Sequence, residues 1–561
     1  MRNRRLVVSV AAIAAGVGLI PGVAQADPAK PDARRAATPD VDLGKAAASQ
    51  AKGHTFTSPA DRTVRTALPS ARTGKAGAPQ AQSAAAADNP DLAVGLSGYG
   101  LTAHGIELKS TLTSISTPLE VTIAWGDGKT EVVNASGAGV LTNKHTYAEV
   151  GAYTVKVTVK DTANSLSAVN ELAVVTPGSD FTPYTPTRLL DTRFGTGVTQ
   201  GKVGAGKSTR VKVGGNGKIP AGVTAVALNI TVTNALDSGF ITAFPEGVER
   251  PFTSNVNFKA GQTVPNMVIV PVGKSGYVEL YNGSWKSVDL IADVTGYFTH
   301  TASSGYTPVE PTRFVDTREG LGTTKRKLAA QSAFSTQISG LRGVPQGISA
   351  VALNVTITNP QGAGHLTVYP SGGALPATSN LNFNANQTIA NSVIVPVSTD
   401  GKISAFNGAW APTDVVVDVV GYYSEGSDSA FLPLSPERVF DTREPEDPFY
   451  GTVWGETYVP LPISDADPSV TGWVLNSTVA NTQGNGYLTV TPDPNSWDDY
   501  INESAFWPTP PNSSNLNWTK GDVVPNLVQA SSGNHGIIDF WNRGWEDIDL
   551  IVDVFGLYQK G

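Results

Sequence analysis

Hydrophobic and polar residues alternate strictly through the run that ends at Asp161: Tyr153, Val155, Val157 and Val159 share one face, Thr154, Lys156, Thr158 and Lys160 the other. A period of two is that of a half-buried strand. The apolar-rich run from Leu119 to Trp125 leads into Gly126-Asp127-Gly128, where glycine permits the positive φ of a tight turn. Beyond residue 180, short runs rich in Val and Thr recur between clusters of Gly, Pro, Asn and Asp, among them 209–213, 225–233, 239–244, 254–258, 264–272, 277–281 and 288–298. No long segment carries a 3.6-residue amphipathic period, so the folded part reads as all-β.

The later runs belong to a repeat. The phrase Pro-x-Arg-x-x-Asp-Thr-Arg begins at Pro186, Pro311 and Pro436, and its first arginines, Arg188, Arg313 and Arg438, are spaced 125 residues apart. Further anchors keep step: Asn229, Asn354 and Asn476; Asn255, Asn380 and Asn515; Asn266, Asn391 and Asn526; Asp293, Asp418 and Asp553. Three copies, 181–300, 306–425 and 431–561, fill the C-terminal two-thirds. Each is long enough to own a core, and the joints between copies are short, which predicts beads on a string. Eight or nine short strands per copy suit a β-sandwich or jelly-roll-like barrel.

The N-terminus changes the compartment. Arg2, Arg4 and Arg5 precede an apolar run from Leu6 to Ile20, and Ala24-Gln25-Ala26 offers a small-residue cleavage site, the pattern of a signal peptide over 1–26. No later stretch is apolar for the roughly 20 residues a membrane span needs. Residues 27–88, rich in Ala, Pro and Ser, read as a disordered linker. The chain has no cysteine, so an exported fold must rely on buried area rather than disulfides. Net charge is −8; the leader contributes +3 and residues 27–88 another +3, which leaves −14 on 89–561 and argues against a nucleic-acid partner.

Trp125-Gly126-Asp127-Gly128, followed by His145-Thr146-Tyr147 and then the strand from Gly151 to Asp161, closely resembles the PKD domain. The resemblance covers about 89–176 and implies an Ig-like β-sandwich that serves as an extracellular spacer or interaction module. The three copies, with phrases such as Ala225-Val226-Ala227-Leu228-Asn229, resemble repeats of secreted actinobacterial proteins that have no established activity. The expected architecture is an Ig-like sandwich followed by three tandem β-modules.

Candidate chemistry concentrates in four places. In the head phrases, Arg188, Asp191 and Arg193 recur as Arg313, Asp316, Arg318 and Arg438, Asp441, Arg443; pairing with Asp293, Asp418 and Asp553 would close the first strand of each copy on the last. The competing reading is calcium held by Asp191 and Asp293. The strand asparagines Asn255 and Asn257, echoed by Asn380 and Asn382 and by Asn515 and Asn517, suit either bracing or sugar recognition. Trp285, Trp410 and Trp545, each just past an Asn-Gly or Asn-Arg-Gly tip, suit either stacking on a ligand or a lid on their own module; Asn-Gly predicts a tight type I′ hairpin. Copy three holds seven of the ten tryptophans and 13 extra residues around Pro494–Asn512, since Asn476 to Asn515 spans 39 positions against 26 from Asn354 to Asn380. Trp497, Asp498, Asp499, Tyr500, Phe506 and Trp507 in that loop form the preferred ligand site, with packing against a neighbouring module as the alternative, and Trp541 opens the third tip, Trp541 to Trp545, as a further ligand candidate.

No His-Glu-x-x-His or Gly-x-Ser-x-Gly occurs, and the six histidines do not recur in register. These features describe a non-catalytic, cell-envelope-associated protein binding cell-wall or other extracellular polysaccharide, or a surface protein. A structural stalk or surface-layer component and a carboxylate-only glycan hydrolase are the alternatives.

Overall fold

The computed structural model describes residues 43–68, 88–445, 450–463 and 467–561. The leader and much of the linker lie outside them. The chain divides into two compact units, one built mainly from 48–179 and the other from 180–299 with 303–560.

The first unit is a two-sheet sandwich with a core that includes Leu108, Val121, Ile123, Trp125, Tyr147, Val155 and Val157. Gly126 and Gly128 take φ values of +90° and +89°, which the turn after Trp125 demands. The linker expectation fails in part. Thr55–Ser58 pairs with Ala93–Gly100, and Val64–Ala67 pairs with Leu166–Val175, so two stretches of 27–88 are edge strands of this sandwich. Their sequences carry little apolar area; main-chain ladders hold them. Asn170 adds side-chain bonds, accepting from Ser58 Oγ at 2.8 Å and donating to the Val94 carbonyl at 2.8 Å.

In the second unit each copy is an eight-stranded jelly roll. In the first module the strands are Asp180–Asp191, Ser208–Lys212, Ala225–Thr233, Gly239–Pro245, Val256–Phe258, Val264–Pro271, Tyr277–Asn282 and Asp289–Thr299. One sheet runs first-eighth-third-sixth, the other second-seventh-fourth-fifth, and the same two orders recur in the other modules.

The third strand explains how the modules combine. Every residue of Ala225–Thr233 is buried. Val226, Leu228, Ile230 and Val232 enter the module's own core, whereas Ala225 and Ala227 enter a second core shared by all three modules. Both faces of this strand are therefore covered, which replaces the expected alternation with a nearly continuous apolar run.

Six aromatic rings form the heart of the shared core, and they pack in a closed cycle. Phe181 of module one lies 4.2 Å from Tyr423 of module two, Tyr306 of module two lies 4.2 Å from Tyr558 of module three, and Phe431 of module three lies 4.6 Å from Phe298 of module one. Each module thus lends a first-strand ring to the last-strand ring of another. Gly296, Gly421 and Gly556 make room for them: a Cβ at Gly421 would lie 2.1 Å from the Tyr306 hydroxyl, and those at the other two would meet the rings of Phe181 and Phe431.

The modules are consequently not beads on a string but a pseudo-threefold ring. Short joints, read from sequence as tethers between independent beads, instead hold three interdependent faces together. Replacing Tyr423 by Ala removes a buried ring and its bonds to Gln529 and Tyr558, and should destabilise the ring by about 3–5 kcal/mol in denaturant unfolding.

Candidate functional site

The asparagines flagged by the repeat lie at the seams between modules. Asn229 donates to the Ser379 carbonyl at 2.7 Å, Asn354 to the Ser514 carbonyl, and Asn476 to the Ser254 carbonyl at 2.7 Å, which runs from module one to two, two to three, and three to one. Asn391 donates to Asn229 Oδ1 at 3.1 Å, and its own Oδ1 accepts from the Met267 amide at 3.2 Å. Asn526 repeats this towards Asn354 and the Ser392 amide. The sixth strands are edges of their sheets, and these side chains satisfy edge amides that would otherwise be open to strand addition. Asn255, Asn380 and Asn515 brace the fourth strand by accepting from the amides of Ala243, Val368 and Val490. These eight amides are committed to the fold, Asn255, Asn380 and Asn515 of the sugar candidates among them.

The head phrase forms a four-membered ion cluster. Arg188 grips Asp293 with Nε at 2.9 Å and Nη2 at 3.2 Å, and reaches Asp191 with Nη1 at 3.2 Å. Arg193 forks onto Asp191 at 2.9 and 2.7 Å. Arg313, Asp316, Arg318 and Asp418 repeat the cluster, as do Arg438, Asp441, Arg443 and Asp553. Burial pushes Asp293 and Asp418 up despite their arginines, and pushes Asp553 up to about 6. At Asp191 and Asp441 burial is outweighed by the Arg193 and Arg443 forks, which hold the carboxyls low; at Asp316 the Arg318 fork is the larger effect. Guanidinium groups occupy the carboxylate lone pairs that the calcium reading required. Among the described residues no group of three or more His, Cys, Asp or Glu is arranged to hold a metal.

The tryptophans separate into two classes. Trp285, Trp410 and Trp545 are 86%, 87% and 85% exposed, so none folds back as a lid. The type I′ hairpin is absent as well. Neither Gly283 nor Gly408 takes a positive φ, and the tip crosses from the seventh strand in one sheet to the eighth in the other. What shapes the tip is a buried asparagine. Asn282 donates to the carbonyls of Val203, Gly204 and Lys286 at 3.1, 3.0 and 2.8 Å, and accepts from the Ser284 amide at 3.0 Å. Asn407 and Asn542 do the same beneath Trp410 and Trp545. The loop is braced by these bonds while the indole is exposed.

The tips also share one end of the ring. Each eighth strand starts at a tip and finishes in the shared aromatic core, so all three tips lie at the end opposite that core. Phe194 and Leu236 of module one and Tyr450 and Trp454 of module three are exposed on other loops of the same end, an addition the repeat pattern did not reveal because these residues do not recur.

The preferred ligand loop of module three is packed rather than open. Trp541 is 1% exposed and stacks on Tyr458 at 4.4 Å; Trp507 meets both edge-on, at 4.9 Å from Tyr458 and 5.7 Å from Trp541. Trp497 packs on Tyr500 at 5.8 Å. Asp499 closes a capping box with Ser496 at the start of the short helix Trp497–Ile501, and only Asp498 of this group is fully exposed. Trp497 and Trp507 are half-buried by these contacts because the insertion lies over its own outer sheet, while Phe506 stays 61% exposed. Beneath it lie Asp493, Asp539 and Tyr458, which carry no mark in the sequence, and Tyr500 of the insertion's own helix is buried against them.

In the first unit the two sequence motifs are one structural knot. His145 stacks on Trp125 at 4.6 Å and contacts Asp127 Oδ2 through Nε2 at 2.9 Å, and the Tyr147 hydroxyl donates to the Trp125 carbonyl at 3.0 Å. Residues 102–174 match the PKD domain family. The sandwich extends beyond the matched residues, taking in Ala93–Gly100 and the edge strands at 55–58 and 64–67. No curated protein matches the chain. Among solved structures, a carbohydrate-binding module of the β-sandwich superfamily is similar at 10% identity over 34% of this chain and 91% of its own, with a TM-score of 0.13. A tandem CBM22 domain from Paenibacillus barcinonensis is similar at 13% identity over 42% and 98%, TM-score 0.15. An archaeal-virus protein with a triple jelly roll is similar at 10% identity over 68% and 90%, TM-score 0.14.

The ion clusters make a direct test. Replacing Arg438 by Ala strands the buried Asp553 carboxyl and should cost about 3–5 kcal/mol in denaturant unfolding. Lys should not restore the loss, because one ammonium cannot reproduce a fork that spans Asp553 and Asp441.

Proposed function

We propose that this is a non-catalytic, extracellular binding protein whose ring presents Trp285, Trp410 and Trp545 to polysaccharide, with the PKD domain as a spacer. The observation that carries this reading is the pairing of an asparagine-braced loop with an indole that is at least 85% exposed, repeated at three equivalent positions. A free indole offers a broad apolar face with one polar N–H, which suits the alternating apolar and hydroxyl faces of a sugar ring. Pre-organisation lowers the ordering cost of binding. Three weak sites at one end of a ring gain from effective concentration on a repetitive ligand. The basic, then apolar, then small-residue N-terminus supports export, and among the described residues no helix is long and apolar enough to cross a membrane.

Retention on insoluble cell-wall polysaccharide tests this directly. The triple variant Trp285→Ala, Trp410→Ala, Trp545→Ala should keep its unfolding midpoint, because the side chains are exposed, while losing retention by about tenfold or more. Undiminished retention would remove the tips as the binding surface, and absence of retention in the natural chain would favour a purely structural role.

A further inference from the structure

Module three buries two carboxyl groups beneath its insertion. Asp539 lies on the seventh strand, where module one has Glu279 and module two Ser404. It is 0% exposed, and neither of its oxygens receives a hydrogen bond from a protein donor. Asp493 is its diagonal neighbour on the sheet, since Thr491 pairs with Asp539 and the Asp493 amide donates to the Ile537 carbonyl at 2.9 Å; 2% exposed, it is by contrast well supplied, with the Asn495 amide and side chain donating to Oδ1 at 2.7 and 2.9 Å and the Tyr500 hydroxyl to Oδ2. The titratable groups facing Asp539 are Asp493 beyond the fourth strand and Tyr458 on the second strand, and Tyr500 of the insertion's helix bears on both of these. Among the described residues no Lys, Arg or His bears on Asp539.

Two adjacent buried carboxylates with no cation cannot both be ionised. A metal ion is the poorer way to neutralise them, because the groups around Asp493 are donors that already occupy its lone pairs. We propose that Asp539 keeps its proton and donates it to Asp493, and that this shared proton is the clasp that fastens the insertion over the outer sheet of module three. Asp493 holds Tyr500, Tyr500 meets the Tyr458 hydroxyl at 3.0 Å, and Trp507 seals the stacked pair of Tyr458 and Trp541. Opening the insertion returns Asp539 to water and ordinary acidity.

The sign of the pH effect follows. Burial first, and then the Asp493 charge and hydrogen bond, push Asp539 up to about 10. The closed form therefore binds one more proton than the open form from the ordinary carboxylate range up to that value. Closure is strongest in acid and weakens by about tenfold per pH unit as pH rises through this window.

Limited proteolysis of the full chain between residues 498 and 512 reads the clasp, with Asp539→Asn as reference, since an amide donates to Asp493 at every pH. From pH 5 to pH 8 the cleavage rate of the natural chain, divided by that of D539N, should rise about tenfold per unit. A ratio that does not change with pH overturns the proposal. Should D539N fail to fold, the carboxyl 13C shift of Asp539 in the natural chain decides: a neutral acid at pH 7 supports the clasp, and an ionised one overturns it.

Discussion

Double-sided burial of the third strand is the constraint on which the ring depends. One face of Ala225–Thr233 completes a jelly roll, and the other enters the core shared by the three modules, where the three sixth strands pack against one another. Small residues at Ala225 and Ala227 allow close approach, and aromatic rings on the first and last strands fill the remaining space. A jelly roll cut out of this ring would expose Phe181, Phe298 and the seam amides at once, a surface that water penalises on both its apolar and its polar parts. The shared core therefore makes three covalently linked modules energetically one body.

The remaining features take their places from that arrangement. Since equivalent ends meet in the aromatic core, the opposite end of each eighth strand carries a tip. The seam asparagines use the same symmetry to protect the sixth-strand edges. Symmetry is broken inside the shared core, where Gln529 accepts from Tyr423 and Tyr558, and on the outer sheets: module three spends its insertion on covering its own, while module one leaves the corresponding Glu279 partly open.

Much of this was legible in the chain. The period-two run from Tyr153, the turn glycines Gly126 and Gly128, and the repeated head phrases led to an all-β architecture and to strands where they stand. The ring was not, because burial by the module's own core and burial by a neighbour look identical in composition; the continuous apolar run through Ala225-Val226-Ala227-Leu228 was the available signal. Edge strands at 55–58 and 64–67 are held by main-chain ladders, which leave little hydrophobic trace. At the tips, Asn-Gly suggested a hairpin, yet Asn282 serves as a side-chain brace. In the insertion, aromatic and acidic composition resembled a binding loop, whereas Trp507 and Trp541 pack together. Asp539 left no mark, since a carboxyl's need for a proton depends on what buries it.

The most direct measurement of the central claim is denaturant unfolding of residues 180–561 followed by module-specific probes, together with the isolated second module, 305–424. A ring held by one shared core predicts a single coincident transition for all three modules and an isolated module that is unstable or associates through its exposed aromatic face. Three separate transitions, or a stable monomeric second module, would contradict it.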